Sequence, residues 1–169
     1  MVAGWQTRSV GGGITGKGLL NHHTASPEGS GPAPALGIVT HGRSDLDGPL
    51  ANFVLARNGV LYVVAAGRCN HAGEGGPLNG IPRDSGNLYF YSVEIENNGL
   101  GEGYDPRQMR TLTILNGLML RRMKRTAYMS LGHKEWTTRK IDPSFSMSKF
   151  RDRVRAWMKK RFPKFMRRR

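Results

Sequence analysis

The residues best suited to chemistry in this chain are its five histidines, His22, His23, His41, His71 and His133. Zinc prefers imidazole nitrogen, carboxylate and thiolate, and a catalytic zinc site keeps one position open for water. Spacing alone makes no zinc signature here, since there is neither a Cys-x-x-Cys pair nor a His-Glu-x-x-His run. His133-Lys134-Glu135 matches the His-x-Glu half of a zinc deaminase motif, but the Pro-Cys-x-x-Cys half is absent, and that chemistry is excluded. Taken singly, each histidine has an ordinary reading as a hydrogen-bonded loop or core residue. Asp142, before Pro143, reads as a turn residue. Glu94, with Glu96 on the same face, reads as the charged side of a half-buried strand.

Positioning such residues needs a scaffold, and the sequence outlines one. Gly18 to Thr24 reads as a short buried strand that delivers His22 and His23 into a Ser-, Pro- and Gly-rich loop from Ala25 to Leu36. Phe53–Ala56 and Val60–Val64 flank Arg57-Asn58-Gly59, and Asn-Gly between two β-favouring runs predicts a hairpin, because both residues tolerate positive φ. A Gly-rich loop from Gly67 to Gly86 precedes a strand expected over Leu88 to Ile95. A helix is expected from Pro106, capped by Asp105, with Met109, Leu112, Leu115, Met119 and Met123 near one face. A last helix carries Met147, Phe150, Val154, Trp157 and Met158, with Ser146 as cap and Pro163 as stop. Strands mixed with two or three helices argue for a single α/β or α+β domain.

The length of 169 residues suits one such domain with a real core. No apolar run approaches the roughly 18 residues of a membrane span, and the N-terminus lacks a signal-peptide core. The lone Cys69 excludes an internal disulfide and reads as a small buried residue. Net charge is +14, and Arg151 to Arg169 contributes +9 of it, from ten Lys and Arg against Asp152. Such a segment favours polyanions: nucleic acid, anionic lipid headgroups or an anionic cell wall. Trp157, Phe162 and Phe165 among the cations could stack bases, but no nucleic-acid motif accompanies them. A specific nucleic-acid partner is therefore not expected.

Leu19-Leu20-Asn21-His22-His23-Thr24-Ala25, then Asn70-His71-Ala72-Gly73, Ser92-Val93-Glu94, Gly132-His133-Lys134-Glu135-Trp136 and Lys140-Ile141-Asp142-Pro143, follow one another in an order that resembles the N-acetylmuramoyl-L-alanine amidases of phage endolysins. That family shares its fold, a central mixed sheet flanked by helices, with the peptidoglycan recognition proteins. The resemblance runs from about Leu19 to Phe145 and implies a zinc amidase domain over residues 1–145, followed by a basic amphipathic helix and tail over 146–169. It implies zinc held by His22, His133 and Asp142, with Lys140 catalytic and Glu94 as general base. The reaction implied is hydrolysis of the amide between N-acetylmuramic acid and the L-alanine of the stem peptide.

Two positions depart from the family pattern. Ser92 replaces a usual glycine, and Leu50-Ala51-Asn52 stands where many relatives carry a catalytic tyrosine, which shifts the base role onto Glu94. His71 and Asn52 are expected to contact substrate, His23 to anchor its loop, and His41 has no assigned role. The basic tail is expected to bind an anionic wall polymer or membrane surface. The expected setting is a monomeric phage enzyme held in the host cytoplasm until release to the wall. The alternative is a module on the same fold that binds peptidoglycan without cutting it.

Overall fold

The computed structural model describes residues 1–160. In chain order the elements are β1 (Gly18–His23), α1 (Leu36–His41), a two-stranded ribbon of β2 (Gly42–Arg43) and β3 (Leu46–Asp47), β4 (Phe53–Leu55), β5 (Leu61–Val63), α2 (Gly86–Tyr89), β6 (Phe90–Ile95), α3 (Pro106–Arg122), a 3-10 turn (Ala127–Met129), β7 (Ser130–Gly132), α4 (His133–Trp136) and α5 (Met147–Met158). The main sheet has the order β5-β4-β6-β1-β7. Within it β1 runs parallel to β6 and β7, β4 runs parallel to β6, and β4 and β5 pair antiparallel, as the ribbon strands β2 and β3 do. This is the mixed sheet flanked by helices that the sequence implied.

Alternation along the strands divides the sheet into two faces. Leu19, Val93 and Ile95 pack with Leu112 and Leu120 of α3 and with Met147, Phe150 and Val154 of α5. Leu20 and Phe90 point to the other face, against Ala72, Ile81, Leu131 and Trp136. The first half of α5 is thus part of the main core, capped by Ser146 Oγ accepting from Lys149 N. Its helix ends at Met158, and Pro163 and the tail from residue 161 lie outside the described residues. No helix among the described residues is long and apolar enough to cross a membrane.

Two local expectations change in detail. The hairpin forms at Asn58-Gly59, but only Gly59 takes positive φ (85°). Gly59 N donates to Ala56 O at 2.9 Å and Ala56 N to Val60 O at 2.9 Å. The turn is therefore a three-residue loop closed by a left-handed glycine rather than a two-residue turn with both residues left-handed. The strand expected from Leu88 begins at Phe90, because Gly86–Tyr89 winds one helical turn first.

The outer edge of β5 is not bare. The N-terminal segment crosses it, with Val2 N donating to Val63 O at 2.9 Å, Arg8 Nη1 to Val64 O at 2.5 Å and Ala66 N to Trp5 O at 2.8 Å.

Candidate active site

Parallel neighbours end at the same edge of a sheet, and ligands bind in the crevice beyond their carboxyl ends. In the β1–β6 register His22 stands opposite Glu94, and in the β1–β7 register Asn21 stands opposite Gly132, so His133 emerges beside His22. A buried amide network fixes that register. Asn21 Nδ2 donates to Leu131 O at 2.8 Å, Asn116 Nδ2 to Asn21 Oδ1 at 3.1 Å, and Ser130 Oγ to Asn116 Oδ1 at 2.7 Å.

Asp142 arrives from the connection between α4 and α5, and Lys134 clasps that connection. Lys134 N donates to Asp142 O at 2.8 Å, and its ammonium donates to Pro143 O at 2.5 Å and Phe145 O at 2.9 Å. His22, His133 and Asp142 are all buried. His22 Nδ1 lies 3.0 Å from His133 Nδ1, and Asp142 Oδ2 lies 3.1 Å from the latter and 3.3 Å from the former.

This triangle suits a metal. Tetrahedral zinc with bonds of about 2.0–2.2 Å separates its ligand atoms by roughly 3.3–3.6 Å, so the three atoms need spread only slightly. The outer ring nitrogens agree. His133 Nε2 lies 3.2 Å from Ala72 O, and a carbonyl can only accept, so Nε2 carries the proton and Nδ1 presents a lone pair. His22 Nε2 lies 3.3 Å from His71 Nδ1, which gives its proton an acceptor on the far side from Asp142. Burial, ahead of the neighbouring His133, pushes the His22 imidazole down to about 4 against the hydrogen bond to Asp142, so it is neutral at pH 7. Burial also holds His71 well below the ordinary histidine range. For Asp142 burial opposes ionisation, but in the metal-free site hydrogen bonds from His133 and His22, which need a ring proton on Nδ1, outweigh it and keep the carboxyl well below its usual range. A bound cation would take the place of that proton.

Glu94 faces the same cleft. Burial first, and then the charges of Asp142 and Glu96, push its carboxyl up to about 8, with Lys140 pulling the other way. Its Oε2 is buried with no hydrogen-bond partner. A carboxyl held at about 8 is largely protonated at pH 7, and a cation in the adjacent ligand triangle would favour its ionised, proton-accepting form. The cleft, about 970 Å³, is lined by His22, His71, Glu94, His133 and Asp142, with Lys140 on its exposed rim. No tyrosine lines it among the described residues.

Asn52 corrects an expectation. It is fully buried, and its side chain is consumed by the backbone and by Ser92: Nδ2 donates to Ala65 O and Gly67 O, and Oδ1 accepts from Ser92 N. Ser92 Oγ in turn accepts from Asn52 N at 3.1 Å. The two departures from the family pattern, Asn52 and Ser92, therefore bond to each other, and Asn52 does not line the cleft. His71 lines the cleft, yet its ring partner is His22. Its backbone N, with that of Ala72, donates to Asn87 Oδ1. His23 packs its ring on Gly99, where a Cβ would come within 2.3 Å of it. His41 is exposed at the end of α1, and Cys69 is buried.

Three functional supports escaped the sequence reading. Lys134 and Asn87 carry no motif beyond their neighbours. Glu96 was grouped with Glu94 on a charged strand face, but it is fully buried and accepts from Thr24 Oγ1, Ser26 Oγ and Ala35 N, pinning the loop that follows His22. The Thr24 and Ser26 hydroxyls beside it were the available signal.

The family model described as N-acetylmuramoyl-L-alanine amidase matches residues 13–145, more than half the chain. No curated relative matches in sequence. Among solved structures, a selenomethionine derivative of AmpD is 22% identical, with a TM-score of 0.66 over 88% of this chain and 93% of that one. A mutant endolysin from Bacillus subtilis is 17% identical, with a TM-score of 0.64 over 94% of each chain. The amidase AmiD from E. coli, solved with anhydro-N-acetylmuramic acid-L-Ala-D-gamma-Glu-L-Lys, is 18% identical, with a TM-score of 0.62 over 86% of this chain and 60% of that one. At these identities the structures speak for the fold, and the family model speaks for the lineage. With the strand-end cleft and the clustered His22, His133 and Asp142, they make this chain a member of the N-acetylmuramoyl-L-alanine amidase family.

Proposed function

We propose that the protein is a zinc-dependent peptidoglycan hydrolase that cuts the amide between N-acetylmuramic acid and L-alanine, in the role of a phage endolysin. The observation that carries this reading is the convergence of His22 Nδ1, His133 Nδ1 and Asp142 Oδ2 within 3.0–3.3 Å, beside a Glu94 carboxylate with an unpartnered buried oxygen. Those three residues would hold the zinc ion, which supplies Lewis acidity towards the scissile carbonyl and a water nucleophile near neutral pH. Glu94 takes the proton of the attacking water and returns it to the departing L-alanine nitrogen. Lys140, on the rim, offers its ammonium to the negative charge that develops on the carbonyl oxygen. His71 orients the His22 ring rather than the substrate, and the absence of a phenol in the cleft leaves Glu94 as the proton acceptor.

The muramyl peptide bound by AmiD supports the substrate class. The endolysin role is supported by the fold shared with the Bacillus subtilis endolysin, and such an enzyme would stay in the host cytoplasm until release. In that role the basic tail, which lies outside the described residues, would add affinity for an anionic wall polymer.

The test is metal analysis of the purified protein and of Asp142→Ala, with amine release from muramyl peptide measured before and after chelation. One zinc per chain, lost together with activity on substitution, is expected. Amide cleavage that survives chelation would overturn the metal reading, and a zinc-loaded protein that binds muramyl peptide without releasing amine would overturn the hydrolase reading.

A further inference from the structure

On the helical face of the sheet, opposite the cleft, α3 and α5 leave a groove between them of about 800 Å³, within the range of roughly 300–1,000 Å³ typical of ligand sites. It shares no lining residue with the catalytic cleft. Its floor is largely apolar, with Ile114, Phe145 and Trp157 beside the hydroxyls of Thr113 and Ser146. That floor is preformed: Phe145 stacks edge-on against Tyr104 at 5.1 Å and tilts against Phe150 at 5.2 Å between ring centroids. Arg110 of α3 and Lys149, Arg153 and Lys160 from the α5 side stand round it, all four exposed. No acid lines the groove, and among the described residues none of these four cations is paired with a carboxylate, whereas Arg43, Arg57, Arg107, Arg139, Arg151 and Arg155 all are.

Solvated cations on a helix face usually alternate with acids or point away from apolar surface. Here four of one sign line a largely apolar trough, a field that attracts anions to a place suited to burying hydrocarbon. An anionic amphiphile meets both demands. We infer that the α3–α5 groove docks on an anionic phospholipid membrane, with an acyl segment against Ile114, Phe145 and Trp157 and the phosphate among Arg110, Lys149, Arg153 and Lys160. The charge complementarity argues against a second copy of this strongly basic protein as occupant. The docking surface lies across the sheet from the cleft, so a protein held there by lipid keeps its substrate cleft open. The inference does not depend on the metal or on amide cleavage.

Trp157 is the built-in reporter. The full chain is mixed with vesicles of phosphatidylcholine carrying brominated acyl chains, alone or with added phosphatidylglycerol, and tryptophan quenching is followed. Quenching is expected only with the anionic vesicles, and Trp157→Phe should abolish it while vesicle binding persists. The triple variant Arg110→Gln, Lys149→Gln, Arg153→Gln should bind more weakly by about fivefold per charge, or about 100-fold together. Its circular dichroism, and any release of amine from soluble muramyl peptide, should be unchanged. Quenching that persists in Trp157→Phe, or binding unchanged in the triple variant, would overturn the proposal. So would loss of binding on ending the chain at Lys160 with the rim intact, which would assign the lipid to the tail. Doubled mass in sedimentation before vesicles are added would also overturn it, since a second copy would then fill the groove.

Discussion

Lys134 lies between two functional residues in the chain without belonging to either, and replacing it by methionine is the sharpest test of how the third ligand is held. Met keeps the aliphatic stem and removes only the ammonium, so the loss is confined to the hydrogen bonds to Pro143 O and Phe145 O. Hydrogen bonds to a charged group are worth about 1.5–3 kcal/mol each, and the side chain is half-buried, so water will re-solvate part of what is lost. A net cost of about 2 kcal/mol is reasonable for the pair. If that energy orders the connection carrying Asp142, it reappears in metal binding as a roughly 30-fold weaker affinity, since about 1.4 kcal/mol is tenfold. The same cost should lower the melting temperature by about 4–8 °C for a chain of this size. The assay is competitive zinc titration against a chromogenic chelator, alongside thermal unfolding of the metal-free protein. Activity should return towards the wild-type turnover when zinc is saturating, because no reacting group has been removed. A lower melting temperature with unchanged zinc affinity would refute the clasp and leave Lys134 a structural residue.

Glu94→Gln keeps the shape and removes the proton acceptor, so turnover should fall by about 10²–10⁴-fold with zinc content unchanged, measured by amine release and metal analysis on one sample. In the metal-free protein His22 is held down to about 4 from an ordinary 6.5, so the unfolded chain binds the extra proton between those values. Stability is then fully present above pH 6.5 and is lost as pH falls towards 4. Chelator-treated protein should be about 2 kcal/mol less stable to urea at pH 5 than at pH 7 from this residue alone, and a flat profile would contradict a buried neutral His22. Burial pushes the Cys69 thiol up to about 12, so it should resist thiol reagents at pH 8 in the folded protein and react once on denaturation.

The elements that carry the ligands were legible because their signals are local. Alternation and apolar runs mark β1 and β6, Asp105 and Pro106 mark the start of α3, and Asn58-Gly59 marks the hairpin. His22 and His133 stand 111 residues apart, so no spacing rule could join them. Parallel pairing of β1 with β7 does so, and only a resemblance in motif order anticipated it. Asn52 was misread because an amide at a family's catalytic position looks available until Ala65, Gly67 and Ser92 are seen to use it up. Glu96 looked like a twin of Glu94 because alternation was carried one step too far: β6 ends at Ile95, and the chain beyond it turns inward. Lys134 was invisible because its partners are main-chain carbonyls, which exist at every position and gain meaning only from the path of the loop.

The N-terminal segment laid across β5 has a consequence for the behaviour of the protein in bulk. An uncovered strand at a sheet edge is a template on which another molecule can continue the sheet, and a mixed sheet ending in a hairpin leaves that template at β5. Val2, Trp5 and Arg8 occupy part of it with hydrogen bonds of their own chain. Like-charge repulsion at +14 keeps copies apart in dilute buffer, but it fades in high salt or on a polyanionic surface that neutralises the charge. Under those conditions resistance to edge-to-edge aggregation passes to the first eight residues, so trimming them, or fusing a tag that pulls them away, exposes the sheet where charge no longer protects it.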